Sequence, residues 1–173
     1  MAQTIEADWS GPYAGLSVGA NSGDQDYTDG DAHYDLKGTF YSAFGGYNWT
    51  NGAMVYGGEL SYSGGSAYEQ DAMGSYEEFN YGRVVDLKAR LGYSLDNVLL
   101  YGTVGYSMAD FTFAGKSGDQ HFDADGFIVS VGADYRIADR YFVGAEIVRR
   151  ELRSDFPTEG SINTLSVRGG ITF

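Results

Sequence analysis

Charged residues recur at alternate positions of this chain, a spacing that can bring acids and bases together. Asp86, Lys88 and Arg90 occupy every second position of one short segment, separated by Leu87 and Ala89. Side chains alternate between the two faces of a β-strand, so these charges share one face. Six further charged residues fall on the polar faces of other alternating segments: Glu59, Asp134, Arg136, Glu146, Arg150 and Arg168. Together the four acids and five bases predict a network of ion pairs.

Residue types that act in catalysis or bind metals are sparse. The chain has no cysteine, which excludes disulfides, thiolate metal sites and cysteine nucleophiles. Its two histidines, His33 and His121, lie in polar segments where a solvent-exposed side chain is the expected role. Residues 24–30 carry acidic side chains at a spacing similar to a calcium loop, but their glycine comes seventh, whereas an EF-hand requires it sixth. We therefore expect no enzymatic activity, no cofactor and no specific metal site.

Eight segments with a period of two must position the charges. They run through approximately residues 12–21, 39–49, 54–63, 79–93, 100–109, 126–137, 141–150 and 164–173. The last of them sets Leu165, Val167 and Ile171 against Ser166 and Arg168. In the second segment the alternation is ambiguous, and the apolar face is assigned to Tyr41, Ala43, Gly45, Tyr47 and Trp49. The pattern predicts eight half-buried strands.

The connections between these segments alternate in length. Three are turns of about three to five residues around Asn51, Asp96 and Asp139, and the Asn51-Gly52 pair predicts a hairpin turn with positive φ at both central residues. Four are longer loops, of roughly ten to seventeen residues, beginning near Ser22, Gly64, Phe111 and Ser154. In an up-and-down arrangement of the eight strands, all three short connections lie at the same end of the strands. This arrangement predicts an all-β, up-and-down antiparallel barrel with short periplasmic turns and four longer extracellular loops.

The composition of the strand faces indicates which face meets which solvent. A soluble barrel would show water a surface rich in Lys and Glu, but the polar faces here are mostly Gly, Ser, Thr and Asn. Such small residues suit the confined interior of an eight-stranded barrel. The apolar faces then meet lipid, with aromatic residues grouped at the short-turn end as an interfacial girdle: Trp49, Tyr93, Tyr135, Tyr141 and Phe173. No stretch of about 18 apolar residues exists, which excludes a transmembrane helix.

Several motifs in order along the chain resemble a known family. They are Trp9-Ser10-Gly11-Pro12-Tyr13-Ala14-Gly15, Gly45-Gly46-Tyr47-Asn48-Trp49, Leu87-Lys88-Ala89-Arg90-Leu91-Gly92-Tyr93, Val131-Gly132-Ala133-Asp134-Tyr135-Arg136 and Val167-Arg168-Gly169-Gly170-Ile171-Thr172-Phe173. Together they are similar to the eight-stranded OmpA-like outer-membrane barrels, closest to the porin-like surface proteins of alphaproteobacteria. The resemblance implies a bacterial outer-membrane location, with Phe173 as the terminal aromatic that the barrel assembly machinery uses as its signal.

The same resemblance sets the expected domains and partners. Residues 1–10 are expected to form a periplasmic segment and residues 11–173 the barrel, with Met1 standing where a secretory leader was removed. Expected partners are outer-membrane lipid and lipopolysaccharide, the assembly machinery, and a second copy or a neighbouring envelope protein. The net charge of -13, carried mostly by the long loops, disfavours nucleic acid. The His–Ser pair of the barrel lipid A deacylase is missing, and a transporter of hydrophobic compounds would need an apolar lumen.

Two functions remain open at this point. In the first, the nine charged residues fill the lumen of a structural barrel, and Arg90 or Arg168 switches between Glu59 and Glu146 to open a narrow, low-conductance pore. The alternative is a surface interaction protein, an adhesin or lattice former, that acts through its acidic extracellular loops. Conductance distinguishes the first function, and loss of binding on loop deletion distinguishes the second.

Overall fold

The protein is a closed barrel of eight antiparallel strands. The computed structural model describes residues 8–25, 34–70, 76–115, 118–154 and 159–173. The strands are β1 (Gly11–Gln25), β2 (Tyr34–Asn51), β3 (Met54–Gln70), β4 (Tyr76–Leu95), β5 (Val98–Gly115), β6 (Gly118–Arg136), β7 (Tyr141–Ser154) and β8 (Glu159–Thr172). Each strand pairs with the next in sequence, and β8 pairs with β1. The predicted fold class is confirmed, and no helix among the described residues is long and apolar enough to span a membrane.

Alternation along the strands divides an apolar outer face from a polar interior. On β4, Leu87 and Leu91 are 60% and 58% exposed, whereas Asp86, Lys88 and Arg90 between and beside them are buried. Strand β2, whose pattern was ambiguous, follows the assigned faces: the predicted outer residues are exposed or half-buried, and the alternate residues turn inward. The outer face carries the large exposed apolar side chains that only a lipid environment accommodates in such numbers.

The short connections lie where the sequence predicts them, but the residues and backbone angles of the first turn differ from the prediction. Asn51 remains the last residue of β2, so Gly52 and Ala53 are the central residues of the first turn. Gly52 has a φ of +59°. Asp96, the first central residue of the second turn, also has a positive φ, of +51°. Each of these turns thus has positive φ at its first central residue only, whereas the expected Asn-Gly type I′ turn needs it at both.

At the other end, the strands run further than the sequence pattern indicated. The pairing of β5 with β6 continues to Gly115 opposite Gly118, through residues that were expected to belong to a loop beginning near Phe111. Ladder hydrogen bonds need no apolar face, so the strands continue in polar sequence beyond the membrane-facing band. The tips of the four predicted loops, residues 26–33, 71–75, 116–117 and 155–158, lie outside the described residues.

The interior is layered along the barrel axis. An aromatic and aliphatic cluster fills the short-turn end: Trp9, Tyr13, Phe44, Val55, Leu99, Tyr101 and Phe142. A smaller apolar cluster, with Val84, Ala109 and Ala124, lies towards the opposite end. The charged side chains occupy the middle, and β3, β4, β6, β7 and β8 each contribute to them.

Candidate functional site: the charged lumen

Strand register brings large charged side chains opposite small ones. Lys88 lies across from Glu59 on β3 and from Gly105 on β5. Arg168 lies across from Gly144 on β7, and a Cβ at Gly105 would come within 2.0 Å of a backbone oxygen of β4. Because these glycines leave no side chain in the lumen, the long charged groups have the width they need to cross it.

Two cations bridge the same two carboxylates at the centre of the lumen. Arg168 places Nη2 2.7 Å from Oε2 of Glu59 and Nη1 3.2 Å from Oε2 of Glu146. Lys88 places Nζ 2.5 Å from Oε1 of Glu59 and 3.3 Å from Oε1 of Glu146. The Nε of Arg168 also lies 3.4 Å from Oδ1 of Asp134. We call Glu59, Lys88, Asp134, Glu146 and Arg168, with Arg90, the central network.

Arg90 and the aromatic residues connect the central network to the short-turn end. Arg90 contacts Asp134 through Nη2, and its guanidinium carbon lies 3.7 Å from the ring centroid of Tyr101. Tyr13 donates its hydroxyl to Glu59 at 3.0 Å, and Arg168 stacks 4.0 Å from the ring centroid of Phe44. Hydrogen bonds and cation–π contacts thus offset part of the desolvation of these charges.

A second ion pair lies nearer the long-connection end. Arg150 contacts Asp86 through Nη2 at 2.7 Å and donates to the Thr164 hydroxyl at 3.1 Å. Asp86 also accepts from Ser107 at 2.6 Å and from Ser61 at 3.1 Å. The carboxylate therefore has two hydroxyl donors besides its arginine, a set that satisfies a buried charge.

Eight of the nine predicted charged residues are buried in the lumen, and Arg136 is not. Arg136 lies half-buried at the short-turn mouth, where it donates to the backbone oxygens of Asp8 and Asp139, both at 2.7 Å. It is the last residue of β6, so its inward direction takes it to the rim rather than into the central network. Without Arg136, the described residues of the lumen include four buried acids and four buried bases, and this set is formally neutral.

The sequence interpretation assigned the aromatic residues of the interior no role in the site. Tyr13, Phe44 and Phe142 fall on the polar faces of their strands, where the alternation itself places them inward. Trp9 precedes the first strand and had no period to place it. Between the aromatic cluster and the second ion pair, a cavity of about 10 Å³ leaves room for about one water molecule. The described side chains therefore fill the middle of the lumen.

Metal ligation has no candidate in the described part of the chain, where no group of three or more His, Asp or Glu side chains is placed to hold an ion. Most of the segment at 24–30 and His33 lie outside that part. His121 lies on β6, opposite Thr112.

The whole chain, residues 1–173, matches the family model of the outer membrane protein beta-barrel domain. The chain belongs to this family. A 22 kDa outer membrane protein of Rhizobium leguminosarum bv. viciae is 33% identical over 129 residues, which cover 73% of this chain and 56% of that protein. The barrel thus spans little more than half of this relative's length.

Solved barrels from other bacteria share the fold. Neisserial surface protein A superposes with a TM-score of 0.66 at 15% identity, covering 95% of this chain and 98% of that one. Ail, the attachment invasion locus protein of Yersinia pestis, gives 0.60 at 13% identity, covering 94% and 99%. The family and the relative place this barrel in the bacterial outer membrane, as predicted.

In that membrane the outer aromatic side chains mark the short-turn boundary. Trp49, Tyr93, Tyr135, Tyr141 and Phe173 are all exposed at this end of their strands. The rings of Tyr47 and Tyr56 lie 4.7 and 6.1 Å from that of Trp49. On β7 the apolar face ends at Arg149 and Glu151, which pair at 3.3 Å on the outer surface. The apolar band lies between these two boundaries.

Proposed function

We propose that this outer-membrane barrel is a structural membrane protein whose lumen is closed at rest, and that rearrangement of the central network opens a narrow, low-conductance path. The supporting observation is the double bridge of Arg168 and Lys88 between Glu59 and Glu146. The described side chains fill the middle of the lumen around a cavity of about 10 Å³, which is too small to hold a continuous water column for ions.

The double bridge also supports the opening step. Each cation contacts both carboxylates, so Arg168 can move fully onto one while Lys88 moves onto the other. Every charge keeps a partner during this exchange, which avoids the large cost of an unpaired buried charge. Arg90, the other residue considered for the switch, pairs with Asp134 and lies 3.9 Å from Glu59. It acts here as a support for Asp134.

Planar-bilayer recording tests both parts of this proposal. The native barrel should show near-zero conductance with brief openings, while Arg168→Ala and Glu59→Ala should open more often because the remaining charges are no longer balanced. Arg90→Ala should have a smaller effect. Glu151→Gln, an exposed residue of the outer surface, is the matched control and should leave conductance unchanged. A large, steady native conductance would contradict the closed lumen. Near-zero conductance in every variant would contradict the opening step.

We also propose a second candidate, a surface interaction role, which strand length favours. A transmembrane strand needs about 9–11 residues, but β4, β5 and β6 have 20, 18 and 19. Their excess lies mainly at the long-connection end, where the paired strands form a wall that extends beyond the membrane. The acidic connections carried on this wall would attract cationic surfaces of a partner.

Deletion of connection residues tests the second candidate. Removing residues 71–75 or 26–33 should abolish attachment of barrel-bearing cells to a partner surface. The barrel itself should stay folded, which shows as faster migration on a gel when unheated than when boiled. The control deletion is residues 116–117, between β5 and β6, which removes no acidic residue. Attachment that survives both acidic deletions would contradict this role.

A further inference from the structure

Trp9 lies inside the short-turn mouth although it belongs to no strand. It is 2% exposed and packs edge-to-face on Phe142, with ring centroids 6.2 Å apart. The chain reaches this position through Gly11, which has a φ of +103°. That backbone conformation, which L side chains rarely adopt, turns the chain from β1 back towards the barrel axis. The tryptophan therefore caps the apolar cluster from outside the ladder.

Arg136 fastens this cap to the rim. Its guanidinium carbon lies 4.4 Å from the centroid of the Trp9 ring, and its Nη2 donates to the backbone oxygen of Asp8 at 2.7 Å. Its Nη1 donates to the backbone oxygen of Asp139, in the connection between β6 and β7, at 2.7 Å. It also lies 3.3 Å from the Thr172 hydroxyl on β8. One side chain thus joins the cap to two parts of the rim.

Asp8 and Ser10 set the local shape of the cap. The Asp8 carboxylate accepts from the Ser10 backbone N–H at 2.9 Å and from its hydroxyl at 2.6 Å, an Asx-type turn around Trp9. These hydrogen bonds, and the positive charge of Arg136, hold the pKa of Asp8 below its usual range. The turn therefore presents Trp9 to the mouth in one conformation while the Asp8 carboxylate is ionised.

Three observations indicate that the cap can leave the mouth while the barrel stays closed. Residues 8–10 make no strand pairing, so their release breaks no ladder hydrogen bond. The Trp9 Nε1–H is buried without a hydrogen-bond partner among the described residues, which makes its burial less favourable than that of a fully satisfied indole. A pocket of about 650 Å³ beside the cap, lined in part by Asn97, Arg136 and Phe173, gives the displaced segment room.

We propose that residues 8–10 form a latch that closes the short-turn mouth and opens as a unit, with Arg136 as its clamp. The latch lies in series with the central network, and its opening exposes the aromatic cluster to the aqueous phase on that side. This inference goes beyond the proposed function and does not depend on whether the lumen conducts. Its readouts therefore concern access to the mouth rather than current.

Tryptophan fluorescence in reconstituted barrels tests the latch directly. The chain has two tryptophans, so Trp49→Phe leaves Trp9 as the sole emitter. Its emission should be that of a buried indole and resist quenching by acrylamide. Adding Arg136→Gln should shift the emission towards that of a solvated indole and raise the quenching constant about threefold or more, because the clamp is lost. Arg140→Gln, an exposed arginine of the same connection, is the matched control and should change neither value.

Cysteine labelling provides a second, independent test in this cysteine-free chain. Ser94 is buried near the end of β4 at the short-turn end, so Ser94→Cys gives a thiol inside the mouth. A charged methanethiosulfonate reagent should label it on the order of tenfold faster when Trp9→Ala or Arg136→Gln is added, with the barrel still heat-modifiable on a gel. Equal labelling with and without Trp9, or exposure of Trp9 only together with loss of the folded barrel, would overturn the latch.

Discussion

Replacing Arg168 by methionine should be among the most destabilising single substitutions in this barrel. Arg168 is 2% exposed and contacts Glu59 and Glu146, with Asp134 at 3.4 Å. Methionine fills similar volume but removes the charge, so the lumen changes from four acids and four bases to four acids and three bases. Breaking a buried pair by removing one partner costs about 3–5 kcal/mol, because it leaves a charge uncompensated. We expect Arg168→Met to lower the free energy of unfolding by about that amount.

A double substitution separates charge balance from packing. Glu59→Gln combined with Arg168→Met restores three acids to three bases in the lumen. We therefore expect the double variant to be less destabilised than the sum of the two single variants, with a coupling energy of about 2 kcal/mol. The measurement is urea unfolding in lipid vesicles, followed by tryptophan fluorescence and by heat-modifiable gel migration.

The matched control is an arginine of the outer surface. Arg149 is 52% exposed and pairs only with Glu151 among the described contacts. Arg149→Met should change the free energy of unfolding by less than about 1 kcal/mol, as is usual for an exposed pair. A loss at Arg168 as small as at Arg149, or strictly additive effects in the double variant, would refute the view that paired charges hold the lumen together.

Four further predictions follow from other parts of the barrel. Gly105→Ala should destabilise by about 1–3 kcal/mol because its Cβ would lie 2.0 Å from a backbone oxygen, whereas Gly102→Ala, with its nearest atom at 3.6 Å, should be tolerated. Val131→Arg, near the middle of the lipid-facing band, should cost about 2–4 kcal/mol in the same unfolding assay. Quenching of the latch tryptophan should rise as the pH falls below about 4, because a carboxyl with a lowered pKa stabilises the closed latch only while ionised; Asp8→Asn should remove this pH dependence. Phe173→Ala should lower the yield of folded barrel in cells but leave the stability of purified barrel nearly unchanged, since this side chain is 69% exposed.

Most of the fold could be predicted from the strand pattern because period-two alternation and connection length are local properties of the sequence. The apolar and polar faces of β4 and β8 could be assigned from sequence, and closure followed from the need to satisfy both edges. The strand ends at the long-connection side could not be assigned from the sequence. Residues such as Ala114 and Gly115 form ladder hydrogen bonds without any alternation of apolar and polar side chains that would indicate a strand. Alternation also fixes the face of a residue but not its height along the axis.

The position of a residue along the barrel axis explains the parts of the site that could not be predicted from the sequence. Arg136 shares its face with Asp134, yet two residues along a strand separate the rim from the central network. Trp9 lies before the first alternating segment, so no period could place it, and only the turn at Gly11 brings it inward. Pairing between Arg168 and its three carboxylate partners depends on strand stagger around the closed barrel, which a single sequence does not reveal.

The charges of this protein fall into two groups, the paired charges buried in the lumen and the exposed charges outside it. Among the described residues, four buried acids are balanced by four buried bases, so the net charge of -13 comes from the other residues of the chain. Added salt screens exposed charges within a Debye length of about 10 Å at 0.1 M but screens buried pairs far less. Ionic strength should therefore weaken any attraction of the exposed acidic residues for a cationic surface, while the buried ion pairs of the barrel stay nearly as strong.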